Sequence, residues 1–375
     1  MTDRPFVFGI AASGNHFTDR GRETARLEAN FKCGVNTILI SPRRWGKTSL
    51  VKKVITETRS DELRTVYLDI FSCRDAHGFL TAFATAVLRQ TSSRWEEILE
   101  TAKMMLGRLT PQVTFGPDPM TDFTLSFTLP KEEMEIDEIL NLPEKIAIEK
   151  GVRVVVCIDE FQQIGEFDNS LNFQKRLRGV WQHQTHASYC LFGSKRHLMT
   201  EMFQRGSYPF YKFGDTLQLK KIPAEYWVEY IVGRFEATGK SISEERARTI
   251  CEKVDCHSSY VQQLAWLVWV HADTVATADD LSQALSDLLA QNSTLFVSQT
   301  ENLSVYQMNF LMALAKGVNS GLSSQKVMTE YGLGSSANVA SVKKALSKQE
   351  LIETEGRKVY LSDPVMKIWL LEGQQ

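Results

Sequence analysis

Two short segments of this 375-residue chain carry residue types and spacings that could do chemistry. The first, Ser41 to Leu50, reads SPRRWGKTSL and contains Gly46-Lys47-Thr48. Between a strand and a helix, such a segment turns successive backbone N–H groups into a concavity at the helix N-terminus. Amides and helix dipole then stabilise a phosphate together. Lys47 reaches the β- and γ-phosphates there, and the Thr48 hydroxyl ligates Mg²⁺. Ser41, Pro42, Arg43, Arg44, Trp45, Gly46 and Ser49 complete the expected nucleotide contacts. Ser41 stands where the first glycine of such loops sits. That glycine only opens the turn, whereas a Cβ at Gly46 would intrude on the phosphate.

A Gly-Lys-Thr also occurs in ordinary loops, so the second segment decides. Val152 to Ile158 is an apolar, β-branched run too short for a helix, and it ends in Asp159-Glu160. Read as a buried parallel strand, it delivers two carboxylates to one strand end, about a hundred residues after the loop. A solvated strand end is the bland alternative. With the phosphate loop upstream, Asp159 is expected in the Mg²⁺ shell, and Glu160 is expected to orient and deprotonate the attacking water. Ala187 to Phe192 makes another apolar strand ending at Gly193-Ser194. Ser194 there suits either a γ-phosphate sensor or a helix N-cap.

The elements that must position these residues alternate strand and helix. Thr37 to Ile40 reads as a strand, Lys47 to Glu57 as a helix, Thr65 to Ile70 as a strand ending at Asp69, and Ala76 to Gln90 as a helix. This order implies a mostly parallel sheet covered on both faces. Gln112 to Thr128 alternates apolar and polar residues about Gly116-Pro117-Asp118-Pro119, the pattern of a projecting β-hairpin. Ile136 to Lys150 has the period of one helix. Phe17 to Arg20 either flank an adenine or pack the N-terminal arm.

With 43% hydrophobic and 23% charged residues the composition is that of a globular chain, and the formal charge of −2 makes no global case for nucleic acid or an anionic membrane. The six cysteines match no zinc pattern and read as buried, reduced thiols. No segment approaches an 18-residue apolar span, so a cytoplasmic protein without membrane contact is expected.

Beyond residue 222 the character turns helical, with Ala224 to Thr238, Ser243 to Val254 and Ser259 to Ala272 as a bundle. Ser304 to Ala315, Ser323 to Tyr331 and Ser336 to Gln349 are three further helices, followed by a hairpin through Glu355-Gly356. That order describes a winged helix. Its third helix offers Lys343, Lys344 and Lys348 and its wing Arg357 and Lys358, diluted by Glu330, Glu350, Glu353 and Glu355. A DNA contact and a protein-docking surface both fit.

SPRRWGKTSL, VYLDI, CIDEFQQI, LFGSKRHLM, YPFYKFGDTLQLKKI, YVQQLAWLVW and LSDPVMKIWL run through nearly the whole chain. Together they resemble the archaeal-type ATPases of the STAND group, relatives of AAA+ proteins. The resemblance implies an α/β P-loop NTPase core at residues 1–222 with a hairpin at about 112–129, a helical lid at 223–300 and a winged helix at 301–375. It implies ATP or ADP and Mg²⁺ as cofactors, switching more than metabolic turnover, and leaves a homo-oligomer open. Many relatives place an arginine in the P-[LF]-Y-x-R region; here the nearest cation is Lys212, the expected γ-phosphate contact. The rival expectation is a DNA-binding regulator whose nucleotide site is structural and hydrolyses poorly.

Overall fold

The computed structural model describes residues 4–92, 95–106, 112–115, 123–126 and 133–373. They form two compact units, one of residues 20–220 and one in which the residues up to Asp19 join those from Lys221 onward.

In the first unit the order is α1 (Gly21–Cys33), β1 (Thr37–Ile40), α2 (Lys47–Thr58), β2 (Leu63–Asp69), α3 (Ala76–Thr91), α4 (Trp95–Met105), the strands β3 (Gln112–Phe115) and β4 (Phe123–Ser126), α5 (Glu133–Leu140), α6 (Leu142–Lys150), β5 (Arg153–Asp159), α7 (Ser170–Trp181), β6 (Ala187–Gly193), α8 (Arg196–Gln204) and β7 (Asp215–Gln218). Five strands form a parallel sheet in the order β2-β5-β6-β1-β7. Ile38, Leu39 and Ile40 are at most 1% exposed. Each contributes about 1.5–3 kcal/mol by leaving water, which is why so short an apolar run holds as a strand. β3 and β4 pair antiparallel as expected, Gln112 opposite Ser126; the turn at Gly116 to Pro119 lies outside the described residues.

Residues 136–150 are two helices rather than one. Pro143 sits in the first turn of α6, and a proline further along a continuous helix would remove an N–H donor and strike the carbonyl four residues back. The chain therefore breaks at Asn141.

The second unit contains α9 (Ala224–Glu236), α10 (Glu244–Lys253), α11 (Ser258–His271), α12 (Ala278–Thr300), α13 (Val305–Ala315), α14 (Gln325–Glu330), α15 (Ser336–Lys348), the wing strands β8 (Ile352–Glu355) and β9 (Lys358–Leu361), and α16 (Pro364–Glu372). Capping boxes start two of these helices, Thr277 with Asp280 and Ser304 with Gln307. One hydrophobic core runs through the bundle and the winged helix, joining Ile231, Leu264 and Leu288 to Leu311, Leu346 and Met366. α16, absent from the sequence expectation, closes it: Asp363 caps the helix by accepting from Val365 and Met366, and its other oxygen accepts from the Tyr260 hydroxyl at 2.6 Å. The N-terminal arm also packs here. Phe6 lies against Tyr230 and Phe235, and the Arg234 guanidinium donates to the carbonyls of Pro5 and Arg4 at 2.7 and 2.9 Å. The sequence expectation places these residues in the core, within residues 1–222; a buried arginine and an aromatic pocket draw them to the other unit. Among the described residues no helix is long and apolar enough to cross a membrane.

Candidate nucleotide site

A parallel sheet collects the ends of its strands on one edge, where ligands of such sheets bind. β6 lies between β1 and β5, with Ile40 opposite Gly193 and Ile158 opposite Leu191. The loop after β1, the acidic pair after β5 and Ser194 after β6 therefore share that edge, and Asp69 stands beside Asp159 in register.

Gly46 is the left-handed residue (φ 88°) from which α2 starts, and Arg44 is also left-handed at φ 61°. Among the described residues, and apart from its chain neighbours and its own helix backbone, nothing lies within 4 Å of a Cβ built on Gly46, so it is the left-handed backbone that calls for glycine. Ser41 and Pro42 are buried, Arg43 and Arg44 are exposed, and Ser49 is buried inside the helix. Lys47 is 5% exposed, and its ammonium donates to the carbonyls of Ser41 and Pro42 at 3.1 and 2.8 Å. The cation thus sits inside the loop it is expected to serve.

Asp159 is 5% exposed, and one of its oxygens accepts from the Thr48 hydroxyl at 2.9 Å and from the Tyr67 hydroxyl at 3.0 Å. Burial raises its pKa, opposed by those two hydrogen bonds. Burial and the adjoining Asp159 carboxylate push the Tyr67 hydroxyl up as well, so it remains a donor. A hydroxyl and a carboxylate meeting at one point are hard oxygen ligands of the type Mg²⁺ takes when phosphate and water supply the rest, so Thr48 and Asp159 fit the ion.

Glu160 is left-handed at φ 55°. Its Oε2 accepts from the Ser194 hydroxyl at 2.8 Å, from the Ser194 N–H at 3.3 Å and from the Gln162 amide. Ser194 Oγ also accepts from Arg43 Nε at 3.3 Å. Ser194 does not cap a helix, because α8 starts after Lys195 without a side-chain cap. Gln162 is 2% exposed, and a Cβ on Gly193 would stand 1.7 Å from its Oε1. Glycine at the end of β6 is what admits Gln162 beside Glu160.

Lys212 is not brought to this edge. It precedes β7, whose first residue Asp215 stands opposite Thr37, the start of β1. The phosphate loop follows the other end of β1, roughly 10 Å or more away at about 3.3 Å per residue. Lys212 is exposed and lies over the Tyr211 ring at 5.3 Å, while its neighbours Phe210 and Phe213 are buried, Phe210 edge-on to Phe161 at 5.2 Å. The PFYKF segment is thus aromatic packing behind the acidic strand.

Sequence reasoning missed Tyr67 and Gln162. Gln162 lies two residues after Glu160, but only the neighbouring strand shows why it matters. The cysteines are free; Cys33 is exposed, against expectation, and burial pushes the Cys251 thiol up to about 12. Among the described residues no cluster of three or more metal-ligating side chains occurs.

A model of the ATPase domain found predominantly in Archaea matches residues 17–231, and one of a probable winged helix domain matches residues 294–372. Among solved structures, a Walker-type ATPase of Pyrococcus abyssi is similar at a TM-score of 0.70 and 15% identity, over 98% of this chain and 99% of that one. The ORC2 protein of Aeropyrum pernix, in ADPNP–ADP complexes, is similar at 0.57 and 15% identity, over 99% and 98%. At such identity the likeness is one of fold. A comparison with curated proteins found no match.

Proposed function

The chain belongs to the family of ATPase domains found predominantly in Archaea, and from that premise we propose that it binds and hydrolyses ATP and that its nucleotide state switches the arrangement of its units. The observation that carries this reading is the convergence of Lys47, Thr48, Asp159 and Glu160 on one sheet edge. Lys47 exchanges the carbonyls of Ser41 and Pro42 for the β- and γ-phosphates of ATP. Thr48 and Asp159 would hold Mg²⁺, which would neutralise charge on the transferring phosphoryl group. Ser194 and Gln162 hold Glu160 by Oε2, leaving Oε1 to orient the attacking water and take its proton. A nucleotide site kept only for structure has no use for a base held this way.

The winged helix supplies the partner-facing surface. On α15 the exposed residues Ala337, Ala340, Ser341, Lys344 and Lys348 make a narrow stripe of small side chains ending in two cations, with Arg357 and Lys358 exposed on the wing; Lys343 is half-buried. Small residues let a helix approach a groove closely, and the cations suit phosphates.

Calorimetry of the full chain tests the nucleotide site. Lys47→Ala should weaken ATP binding about ten- to a hundredfold, the loss of one charge-assisted phosphate contact of roughly 1.5–3 kcal/mol. Unchanged affinity in a folded variant removes Lys47 from the site.

A further inference from the structure

The chain passes into the first unit at Asp19–Arg20 and leaves it at Lys220–Lys221. Asp19 and Arg20 are both left-handed, at φ 55° and 71°. Residues with a Cβ occupy that region only where their surroundings impose it. Arg20 is also 3% exposed. Its Nη1 donates to the Lys220 carbonyl at 2.7 Å and to Glu23 Oε1 at 3.2 Å, and its Nη2 donates to the Trp45 carbonyl at 3.1 Å. Trp45 immediately precedes Gly46 in the phosphate loop. One guanidinium, on the residue where the chain enters the unit, is therefore bonded both to the residue where the chain leaves it and to the loop.

We propose that Arg20 is the positioning residue that couples the phosphate loop to both crossings between the units, an inference that rests on the nucleotide site proposed above. A buried cation must have its donors satisfied, and the planar fork of arginine fixes the directions of its hydrogen bonds, so the Trp45 and Lys220 carbonyls cannot shift independently. When Lys47 gives up the carbonyls of Ser41 and Pro42 for phosphate, the loop backbone readjusts. Arg20 carries that readjustment from Trp45 to Lys220. Lysine at this position keeps the charge and reaches one carbonyl, so it uncouples the two ends without emptying the site of its cation.

The test is amide hydrogen exchange of the full chain at residues 219–222, without nucleotide and with Mg·ADP or Mg·ATP, for the parent and Arg20→Lys, with nucleotide affinity measured alongside by calorimetry. In the parent, nucleotide should slow exchange there by about threefold or more. Arg20→Lys should bind nucleotide within about tenfold of the parent, yet exchange at the same rate with and without it. A merely structural role would raise exchange equally in all states and leave the response intact. A variant that responds like the parent, or a parent that binds nucleotide without responding, overturns the coupling while the nucleotide site stands. A parent that binds no nucleotide overturns both.

Discussion

Asp159 is oriented by neutral donors: the Thr48 and Tyr67 hydroxyls both donate to one carboxylate oxygen, and the Glu160 N–H donates to the other. The basic residues divide by the edge of the sheet on which they lie: Lys47 is inside the loop, whereas Lys212 is at the far edge over Tyr211. Lys212→Ala should therefore leave kcat for ATP within about twofold of the parent, where loss of a cation acting on the transferring phosphoryl would cost orders of magnitude. Steady-state turnover checks it, and a hundredfold fall would return Lys212 to the chemistry. At this scale Gly46, Lys47, Thr48, Asp159 and Glu160 could be picked out as candidates from residue type and position at a strand end, and the structure gathers them on one sheet edge. Tyr67 and Gln162 could not. Their roles arise only when β2 and β6 fall into register beside β5, and no local pattern encodes that neighbour relation.

Among the elements, the close fit at the end of β6 makes a sharp demand. A Cβ on Gly193 would stand 1.7 Å from Gln162 Oε1, 2.9 Å from its Cδ and 3.2 Å from Met199 Sδ, so Gln162 must move or the strand must. Gly193→Ala should cost about 1–3 kcal/mol in thermal unfolding, the usual range for overpacking a close-fitting site. Adding Gln162→Ala should recover part of that loss, since contacting residues couple by roughly 0.5–3 kcal/mol. Strict additivity of the two substitutions would show that they do not meet. The strands β1, β5 and β6 were readable as apolar runs with polar ends, and the hairpin strands by alternation. Periodicity failed at residues 136–150, where the apolar spacing continues across Asn141 but the backbone cannot, given Pro143. It also passed over α16, a short and mostly apolar segment that starts at the Asp363 cap and packs Trp369 against Phe296.

For the whole molecule, the winged helix and the nucleotide site make separate demands. The exposed cations of α15 and the wing should give duplex DNA binding at low salt that weakens with salt at a log–log slope of about −0.9 per phosphate contacted. Replacing Lys344 and Lys348 by alanine should make the slope shallower by up to roughly two units. Fluorescence anisotropy showing no duplex binding with either ATP or ADP assigns the surface to protein docking. The nucleotide cycle itself is tested most directly by a single-turnover measurement on the full chain loaded with Mg·ATP, comparing the parent with Glu160→Gln. The parent should convert bound ATP to ADP; the variant should bind ATP with parental affinity and convert it about 10²–10⁴ times more slowly. Equal rates in the two proteins, with ATP bound in both, would contradict the assignment of Glu160 as the base and with it the hydrolytic mechanism proposed for this site.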